Sequence, residues 1–255
     1  MKLLIKKIAR SELAFFFRNA LNFKPVYANY DKIQISSVSD AFPWRTDNNF
    51  TTKFKYSDIL NIFYNIKDSW VEFHFYDKNA NFLKKKVIQN LHYSNELIIN
   101  SDFLGGINDY GTFYIFHYSK SKIEKENIIA NRCYIGFSKN NNLHSFVHGN
   151  THVKFSGIYS HKVKTGIIKT SLFINKNYTI QKYFEEYDNN ELFFVNPANK
   201  KISFFILNKK YPLAQGCSKI IRTNKVKTLN ILSNCMFLRP TIFSYKKKFM
   251  DVHHS

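Results

Sequence analysis

The segment Trp70–Asp77, WVEFHFYD, alternates apolar with polar or amphipathic side chains along its length. Its two sides are Val71, Phe73 and Phe75 on one and Glu72, His74 and Tyr76 on the other. Because successive side chains of an extended chain point to opposite faces, this period of two predicts a β-strand with one face on a core.

Short strand-like runs continue on both sides of this segment. They cover residues 32–38, 82–88, 96–99, 111–118, 132–138, 166–174, 191–195, 202–207, 226–232 and 241–245. Turn-forming groups such as residues 77–79 and 140–142 separate them. Residues 58–64 are typical of a short helix, but no helix-length amphipathic run recurs between the strands, so βαβ units are not indicated. The prediction is a mainly β protein, a β-sandwich or jelly roll, as one large or two adjacent sandwiches.

The first 22 residues differ from this pattern, because apolar residues recur there at helical spacing. The apolar set is Leu4, Ile5, Ile8, Leu13, Phe16 and Phe17, opposite Lys2, Lys6, Lys7, Arg10 and Arg18. This predicts an N-terminal basic amphipathic helix. Charged residues interrupt any signal-peptide core, and no stretch approaches the ~20 apolar residues of a membrane span. We expect the apolar face to pack on the domain; peripheral membrane contact through residues 1–22 is the alternative.

The best candidate for a domain seam is residues 156–164, after which the strands form a second set. The predicted divisions are therefore the N-terminal helix at 1–28, a first β portion at 29–160 and a second β portion at 161–255. The second portion is either a unit of its own or part of the same domain. The spacing of the runs favours neither alternative.

A net charge of +20 is the strongest compositional signal in this chain of 255 residues. It indicates a polyanionic partner: an acidic glycan, a nucleic acid or an acidic membrane surface. A genome rich in A and T would give the same surplus of lysine. Lysine, asparagine, isoleucine, phenylalanine and tyrosine, whose codons are rich in A and T, are all abundant in this chain. No helix-turn-helix, zinc-finger or RNA-recognition motif supports nucleic acid. Lysine runs at 84–86 and 246–248 are interpreted as solvated strand edges.

The three cysteines, Cys133, Cys217 and Cys235, lie far apart and form no Cys-x-x-Cys pair. A sparse and odd set fits a reducing compartment better than a disulfide scaffold. Together with the helix at 1–22, this predicts a cytoplasmic protein, with peripheral attachment at the inner membrane face as a further expectation.

Candidate ligand-binding residues gather between positions 105 and 150, which hold five of the eight glycines. An acidic sugar is recognised by three kinds of side chain. Aromatic rings stack on its CH faces, a guanidinium binds its carboxylate or phosphate, and amides hydrogen-bond to its hydroxyl groups. The candidates are Asp109, Tyr114, His117, Arg132, Tyr134, His148 and Asn150, joined by Arg45 and Arg239 from apolar settings elsewhere. The runs 111–118 and 132–138 are expected to present this set on one polar-aromatic surface.

A metal site has weaker support. Histidines 144, 148 and 152 are four residues apart, which on an extended chain is about 13 Å, too far for a shared zinc ion. A two-residue turn at Gly149-Asn150 would place His148 and His152 on opposite faces. A jelly roll that binds iron needs a carboxylate and histidines, for which Glu72, His74, His117 and His148 are the weak candidates. Among them the favoured interpretation of Glu72 and His74 is a solvent-facing pair, and the cofactor stays unknown.

Carbohydrate binding or modification is the leading functional hypothesis, with surface-polysaccharide biosynthesis in bacteria as its setting. A metal-dependent jelly-roll enzyme is the first alternative. A structural or interaction protein that binds an acidic partner through its basic surface is the second. Asp251, His253 and His254 at the end of the chain would complete a site if that end docks against the sandwich.

Overall fold

The alternation at Trp70–Asp77 produces a strand with those bounds, and strands make up 54% of the computed structural model. The structure describes residues 2–9, 11–21, 35–123, 128–131, 133–149, 151–165, 168, 170–174, 176–180, 184–224, 226, 228–235 and 238–254. The prediction of a mainly β protein is confirmed. The predicted run at 166–174 falls partly outside the described residues and carries only isolated bridges at Ile168 and Thr170.

Twenty strands and three α-helices are assigned within the described residues. The helices are α1 (Lys2–Ala9), α2 (Glu12–Ala20) and α3 (Ile59–Tyr64). The strands are β1 (Ser36–Asp40), β2 (Phe42–Arg45), β3 (Phe50–Tyr56), β4 (Trp70–Asp77), β5 (Phe82–Ile88), β6 (Asn95–Ile99), β7 (Tyr110–Tyr118), β8 (Ile128–Ala130), β9 (Cys133–Lys139), β10 (Ser145–His148), β11 (His152–Gly157), β12 (Val163–Thr165), β13 (Lys176–Ile180), β14 (Asn189–Val195), β15 (Ile202–Ile206), β16 (Lys209–Leu213), β17 (Ser218–Thr223), β18 (Leu229–Ser233), β19 (Thr241–Lys246) and β20 (Phe249–His254).

These strands form five four-stranded sheets among the residues that the structure describes. Sheet A has the order β12-β11-β1-β8, sheet B β2-β7-β4-β5, sheet C β10-β9-β3-β6, sheet D β17-β14-β19-β20 and sheet E β13-β18-β15-β16. Neighbouring strands are antiparallel, apart from the parallel pair of β1 and β8. The lysines of β5 lie on the edge of sheet B, which agrees with their interpretation as a solvated edge.

Sheets B and C pack face to face through aromatic side chains. The ring of Phe54 from β3 lies 4.8 Å from that of Phe42 and 4.9 Å from that of Phe113, both in sheet B. Phe73 of β4 joins them at 5.9 Å. The apolar side of WVEFHFYD is therefore the side that enters this core, as the alternation predicts.

Sheets D and E enclose a second core, in which Phe194 of β14 lies 4.7 Å from Phe204 of β15. The strand β14 is apolar on both faces, because Phe193 contacts the first core while Leu192 and Phe194 enter the second. A continuous apolar run of this kind is what a strand covered on both sides requires.

Contacts cross the predicted seam in both directions. Val38 and Phe155 belong to the second core, and Phe243 belongs to the first. The strand β12 pairs with β11, so one hairpin spans position 160. These contacts show that the two predicted β portions share side chains in both cores. The division into one or two domains stays a prediction.

The N-terminal segment forms two helices rather than one. Ser11 accepts a hydrogen bond at its hydroxyl from the backbone N–H of Ala14, at 3.2 Å, and so caps α2. The large apolar side chains of this segment lie in solvent: Leu4, Ile5, Ile8, Leu13, Phe16, Phe17 and Leu21 are each at least 45% exposed. The expected packing of this face on the domain is therefore absent for these side chains. None of the described helices is long and apolar enough to cross a membrane.

Candidate functional site

Five asparagine side chains line a cleft of about 560 Å³, which we call the asparagine cleft. It lies where the β2–β3, β6–β7 and β9–β10 connections meet. Its lining residues are Thr46, Asn49, Phe50, Thr51, Asn100, Ser101, Asp102, Asn108, Asn140 and Asn141. Amides and hydroxyls both donate and accept hydrogen bonds, so the cleft suits a ligand rich in hydroxyl groups.

Asparagine is favoured in these turns for a backbone reason. Asn49 and Asn140 have φ values of 62° and 53°, in the left-handed region that asparagine tolerates better than other non-glycine residues. The two turns also bind each other. The Asn140 N–H donates to the Asn49 carbonyl at 3.0 Å, and the Asn49 side-chain amide donates to Asn140 Oδ1 at 3.1 Å. The position of the β9–β10 turn is thereby fixed against the β2–β3 turn.

The third wall is a short 3-10 turn after β6. Asn100 Oδ1 accepts from the Phe103 N–H at 2.8 Å and holds this turn closed. At the back of the cleft, the Thr46 hydroxyl donates to the Ile107 carbonyl at 2.7 Å. Asp102 carries the one charge in the lining, so the asparagine cleft differs in charge from a chain of net charge +20.

A buried ion-pair network lies behind the asparagine cleft. Arg45, 1% exposed, donates to both carboxylate oxygens of Asp47 at 2.9 and 2.7 Å and to Glu191 Oε2 at 2.5 Å. Glu191 also accepts from the Tyr245 hydroxyl at 2.7 Å and from Arg222 Nε at 3.1 Å. The network connects sheet B with sheet D and leaves the Arg45 guanidinium inaccessible to a ligand.

Charge balance in this network follows from these contacts. Burial opposes the charge of Arg45, but the hydrogen bonds and charge of Asp47 and the charge of Glu191 outweigh it, so the pKa of Arg45 is raised. Burial raises the pKa of the Glu191 carboxyl, but Arg45 outweighs this effect and the pKa is lowered. Both groups are therefore charged at neutral pH, and each satisfies the other.

A second cleft, of about 630 Å³, adjoins the first at Asn140, which lines both. We call it the basic cleft. It is lined by Lys139, Asn140, Asn142, Leu143, Tyr245, Lys247, Lys248, Phe249 and Met250. Lys139 Nζ lies 5.2 Å from the centre of the Tyr245 ring. Leu143 and Phe249, at 95% and 79% exposure, stand at its rim.

The sequence candidates do not gather around one cleft. Asp109 forms an ion pair with Lys78 at 2.9 Å at the start of β7, whereas His117 lies buried near its other end. Eight residues of strand separate the two, roughly 26 Å. Arg239 is half-buried, with its guanidinium 5.8 Å from the Tyr178 ring. Arg132 and Asn150 lie outside the described residues.

The expected polar-aromatic surface on runs 111–118 and 132–138 needs correction. The strands β7 and β9 lie in different sheets, and β7 is buried on both faces. Tyr114, one of the candidates, is 1% exposed, and burial raises the pKa of its hydroxyl. Burial also lowers the pKa of His117 to about 3, against a smaller opposing effect of Asn131. Both residues are parts of the interior rather than of an open face.

The β10–β11 connection also differs from the expected hairpin, because β10 pairs with β9 while β11 pairs with β1. Tyr134 and His148 face each other across β9 and β10 on the exposed side. The chain end docks there as strand β20, and its His254 Nε2 lies 2.6 Å from His148 Nε2. Asp251 bonds the neighbouring His253.

The weak metal candidates are divided between sheets. Glu72 and His74 are adjacent on β4, with 3.2 Å between Oε2 and Nε2. His117 aligns with Val71, so it points to the opposite face of sheet B, and His148 lies in sheet C. In the part of the chain that the structure describes, no group of three or more histidine, cysteine, aspartate or glutamate side chains is placed to hold a metal ion.

The expected solvent-facing pair is wrong, because Glu72 is only 6% exposed and His74 is half-buried; both belong to a polar-aromatic cluster on the face of sheet B that sheet A covers. Glu72 also approaches Lys85 at 3.5 Å and His161 at 3.6 Å. The His161 ring stacks on Tyr118 with centroids 4.1 Å apart. Burial lowers the pKa of His74, and Glu72 opposes that effect. The Glu72 carboxylate therefore has the Lys85 ammonium group and two imidazole rings within 3.6 Å.

Sequence reasoning missed the residues of both clefts. The signal was present, since residues 140–142 were identified as a turn and residues 246–248 as a basic run. What was not visible is that the two turns lie next to each other in space. No protein-family model matches the chain, and no curated protein is significantly similar to it in sequence. The case for function therefore depends on the geometry of the clefts.

Proposed function

We propose that the protein is a carbohydrate-binding β-sandwich protein and that the asparagine cleft is its binding site. The observation that carries the proposal is the lining of this cleft. Asn49, Asn100, Asn108 and Asn140 lie on three separate connections that meet there, and Thr51 of β3 lines the cleft beside them. Sugar hydroxyls donate and accept at once, and an amide side chain matches that pattern with its oxygen and its NH₂ group.

The experiment that tests this proposal is glycan binding by calorimetry with variants that keep the turns intact. Asn108 and Thr51 are suitable because neither has a positive φ. We expect N108A combined with T51V to weaken binding of an N-acetylglucosamine tetrasaccharide about tenfold, because two hydrogen bonds of about 0.5–1.5 kcal/mol each are lost. The matched control is N79A, in the exposed β4–β5 turn. Failure of a panel of neutral and acidic oligosaccharides to bind the wild type would contradict the proposal.

Attachment to an anionic membrane surface is the second candidate, and the exposed apolar side of α1 and α2 favours it. Residues 1–21 carry five basic residues and one acidic residue, Glu12. An apolar face flanked by lysines is the pattern of a helix that lies in the plane of a membrane. A cytoplasmic protein held in this way at the inner membrane face would be positioned for surface-polysaccharide assembly, the setting that we propose.

Sedimentation with phosphatidylcholine vesicles, with and without phosphatidylglycerol, tests this attachment. The wild type is expected to bind only the vesicles that contain phosphatidylglycerol. We expect I8E combined with F17E to abolish binding, since it puts charges on the apolar face. I62E combined with F63E is the control, because these residues are likewise exposed on α3. Equal loss in both double variants, or no binding by the wild type, would overturn the assignment.

The metal-dependent enzyme has no assembled ligand set in the described part of the chain. Elemental analysis of the purified protein, for iron and zinc, is the direct measurement for it. Bound metal at one equivalent would revive the alternative and would direct attention to Glu72 and His74.

A further inference from the structure

We infer that the basic cleft is an anion subsite of the same glycan site, so that the ligand is an acidic glycan that lies across Asn140. This inference rests on the proposed function and deepens it. The neutral, hydroxyl-rich part of the ligand would occupy the asparagine cleft. Its carboxylate or phosphate would lie among Lys139, Lys247 and Lys248.

Adjacency of the two clefts is the first support. Asn140 lines both of them, and it is held in place by its two hydrogen bonds to Asn49. A ligand of a few sugar units that lies over Asn140 would therefore reach both linings. The β9–β10 turn on one side and the β19–β20 turn on the other define the length of the second cleft.

Unmatched positive charge is the second support. The lining of the basic cleft holds three lysines and no carboxylate. Three other lysines in the described part of the chain do lie beside carboxylates: Lys53 beside Glu96 at 2.9 Å, Lys78 beside Asp109 at 2.9 Å and Lys85 beside Glu72 at 3.5 Å. Within the described residues, none of the three cleft lysines has such an ion pair. Three ammonium groups around one cavity attract an anion and are free to bind it.

Exposed apolar groups beside these lysines are the third support. Phe249 is 79% exposed, and its ring borders the cavity together with Met250 and Leu143. An exposed ring next to cations gives a CH face of a sugar a surface to pack on, while the anion meets the ammonium groups. A free inorganic anion would use the lysines alone and would not need this apolar rim.

The test compares three probes by calorimetry at one salt concentration. They are a tetrasaccharide that alternates glucuronic acid and N-acetylglucosamine, its carboxyl-reduced counterpart with glucose in place of glucuronic acid, and an N-acetylglucosamine tetrasaccharide with one 6-phosphate. We expect the probe with the preferred anion to bind about tenfold more tightly than the reduced probe, from charge-assisted hydrogen bonds to lysine. The carboxylate and phosphate probes identify which anion the subsite prefers.

The double variant K247Q/K248Q should lose this tenfold advantage and bind the reduced probe like the wild type. K209Q/K210Q is the matched control, since it removes two exposed charges from the start of β16, directly after another β-hairpin turn. Equal affinity of the wild type for charged and reduced probes overturns the subsite while the proposed function stands. An equal effect of the two double variants overturns it as well, because it would show general charge attraction. Failure of all probes to bind overturns the proposed function together with it.

Discussion

The Arg45 network and the basic cleft are two cationic regions that both contact Phe50 and Tyr245. The positive charge is paired with carboxylates in the network and, among the residues that the structure describes, is unpaired in the cleft. The Phe50 ring lies 4.0 Å from the Arg45 guanidinium on one side and 5.7 Å from Lys139 Nζ on the other. Tyr245 donates to Glu191 in the network, and its ring faces Lys139 in the cleft. The buried region matches its cation with two carboxylates, whereas the three lysines of the basic cleft have no ion pair within the described residues.

This difference between paired and unpaired cations determines which positive charges are available to a ligand. A buried guanidinium must be matched inside the protein, because an unpaired charge there costs several kcal/mol. Lysines in water carry no such requirement, so they can remain unmatched until a partner arrives. A chain of net charge +20 therefore presents only part of its positive charge to the outside.

Breaking the network should have the largest effect on stability. R45M leaves Glu191, 7% exposed, and Asp47 without their main counter-charge. We expect the free energy of unfolding to fall by about 3–5 kcal/mol, measured by urea denaturation. R222Q removes the outer partner of the same Glu191, and because that arginine is largely exposed its loss should stay below about 1 kcal/mol. Equal losses in the two variants would show that Arg45 is not the centre of the network.

Tyr245 allows the two regions to be separated, because it contributes its hydroxyl to one and its ring to the other. Y245F removes the hydrogen bond to the charged Glu191 and keeps the ring beside Lys139. We expect a loss of about 1.5–3 kcal/mol in the free energy of unfolding and unchanged affinity for the acidic tetrasaccharide. A large loss of affinity without loss of stability would assign the hydroxyl to the ligand instead.

His117 is a buried titratable group with no counter-charge among the described residues, in contrast to Arg45, because it lies beside the amide of Asn131 rather than beside a carboxylate. Its pKa of about 3 lies below the ordinary value of 6.5, so the unfolded chain takes up this proton first as the pH falls. The contribution of this group to stability is therefore present above pH 6.5 and is lost between pH 6.5 and 3, by about 1.4 kcal/mol per pH unit.

The variant H117Q should flatten the pH dependence of the urea midpoint between pH 7 and pH 5 relative to the wild type, whatever its stability at pH 7. H92Q is the control for the loss of an imidazole at an exposed position. A slope in H117Q equal to that of the wild type would show that His117 is protonated without cost in the folded protein.

The smallest effect on stability is expected at the basic cleft. K247Q/K248Q should change the free energy of unfolding by no more than about 0.5 kcal/mol, since these exposed lysines have no described ion pair to lose. Thermal and urea unfolding, with K209Q/K210Q alongside, measure this difference. A loss above about 1 kcal/mol would place the two lysines in the same structural class as Arg45.

Local alternation allowed the strands to be predicted where it is strong. The bounds of β4 and β5 coincide with the predicted runs, and the run at 58–64 contains α3, capped by Asp58, whose carboxylate accepts from the Asn61 N–H at 3.1 Å. The same reasoning misjudged β7, whose threonine and tyrosines looked like an open face. Sheet A covers that face: Val153 of β11 packs with Tyr114 and Tyr118, and the Tyr118 hydroxyl donates to Ser156 Oγ at 2.9 Å.

The candidate site was less predictable than the fold, because it depends on which distant parts of the chain pack together. Of the nine ligand-binding candidates, Arg45 lies next to the asparagine cleft, but as a buried member of an ion-pair network. The cleft residues Asn49 and Asn140 were visible only as turn formers, because a turn signal carries no information about which other turn lies beside it.

Sequence by itself determined the β class, the positions of ten of the twenty strands assigned within the described residues, and the surplus of positive charge. These properties depend on composition and on neighbours a few residues apart, which periodicity and turn chemistry report directly. Tertiary structure alone decided which cations are neutralised and which remain open. Arg45 meets Glu191 across 146 residues, and the turns that share Asn140 meet because of how the sheets are ordered. Sheet order depends on long-range pairing, which local patterns do not encode.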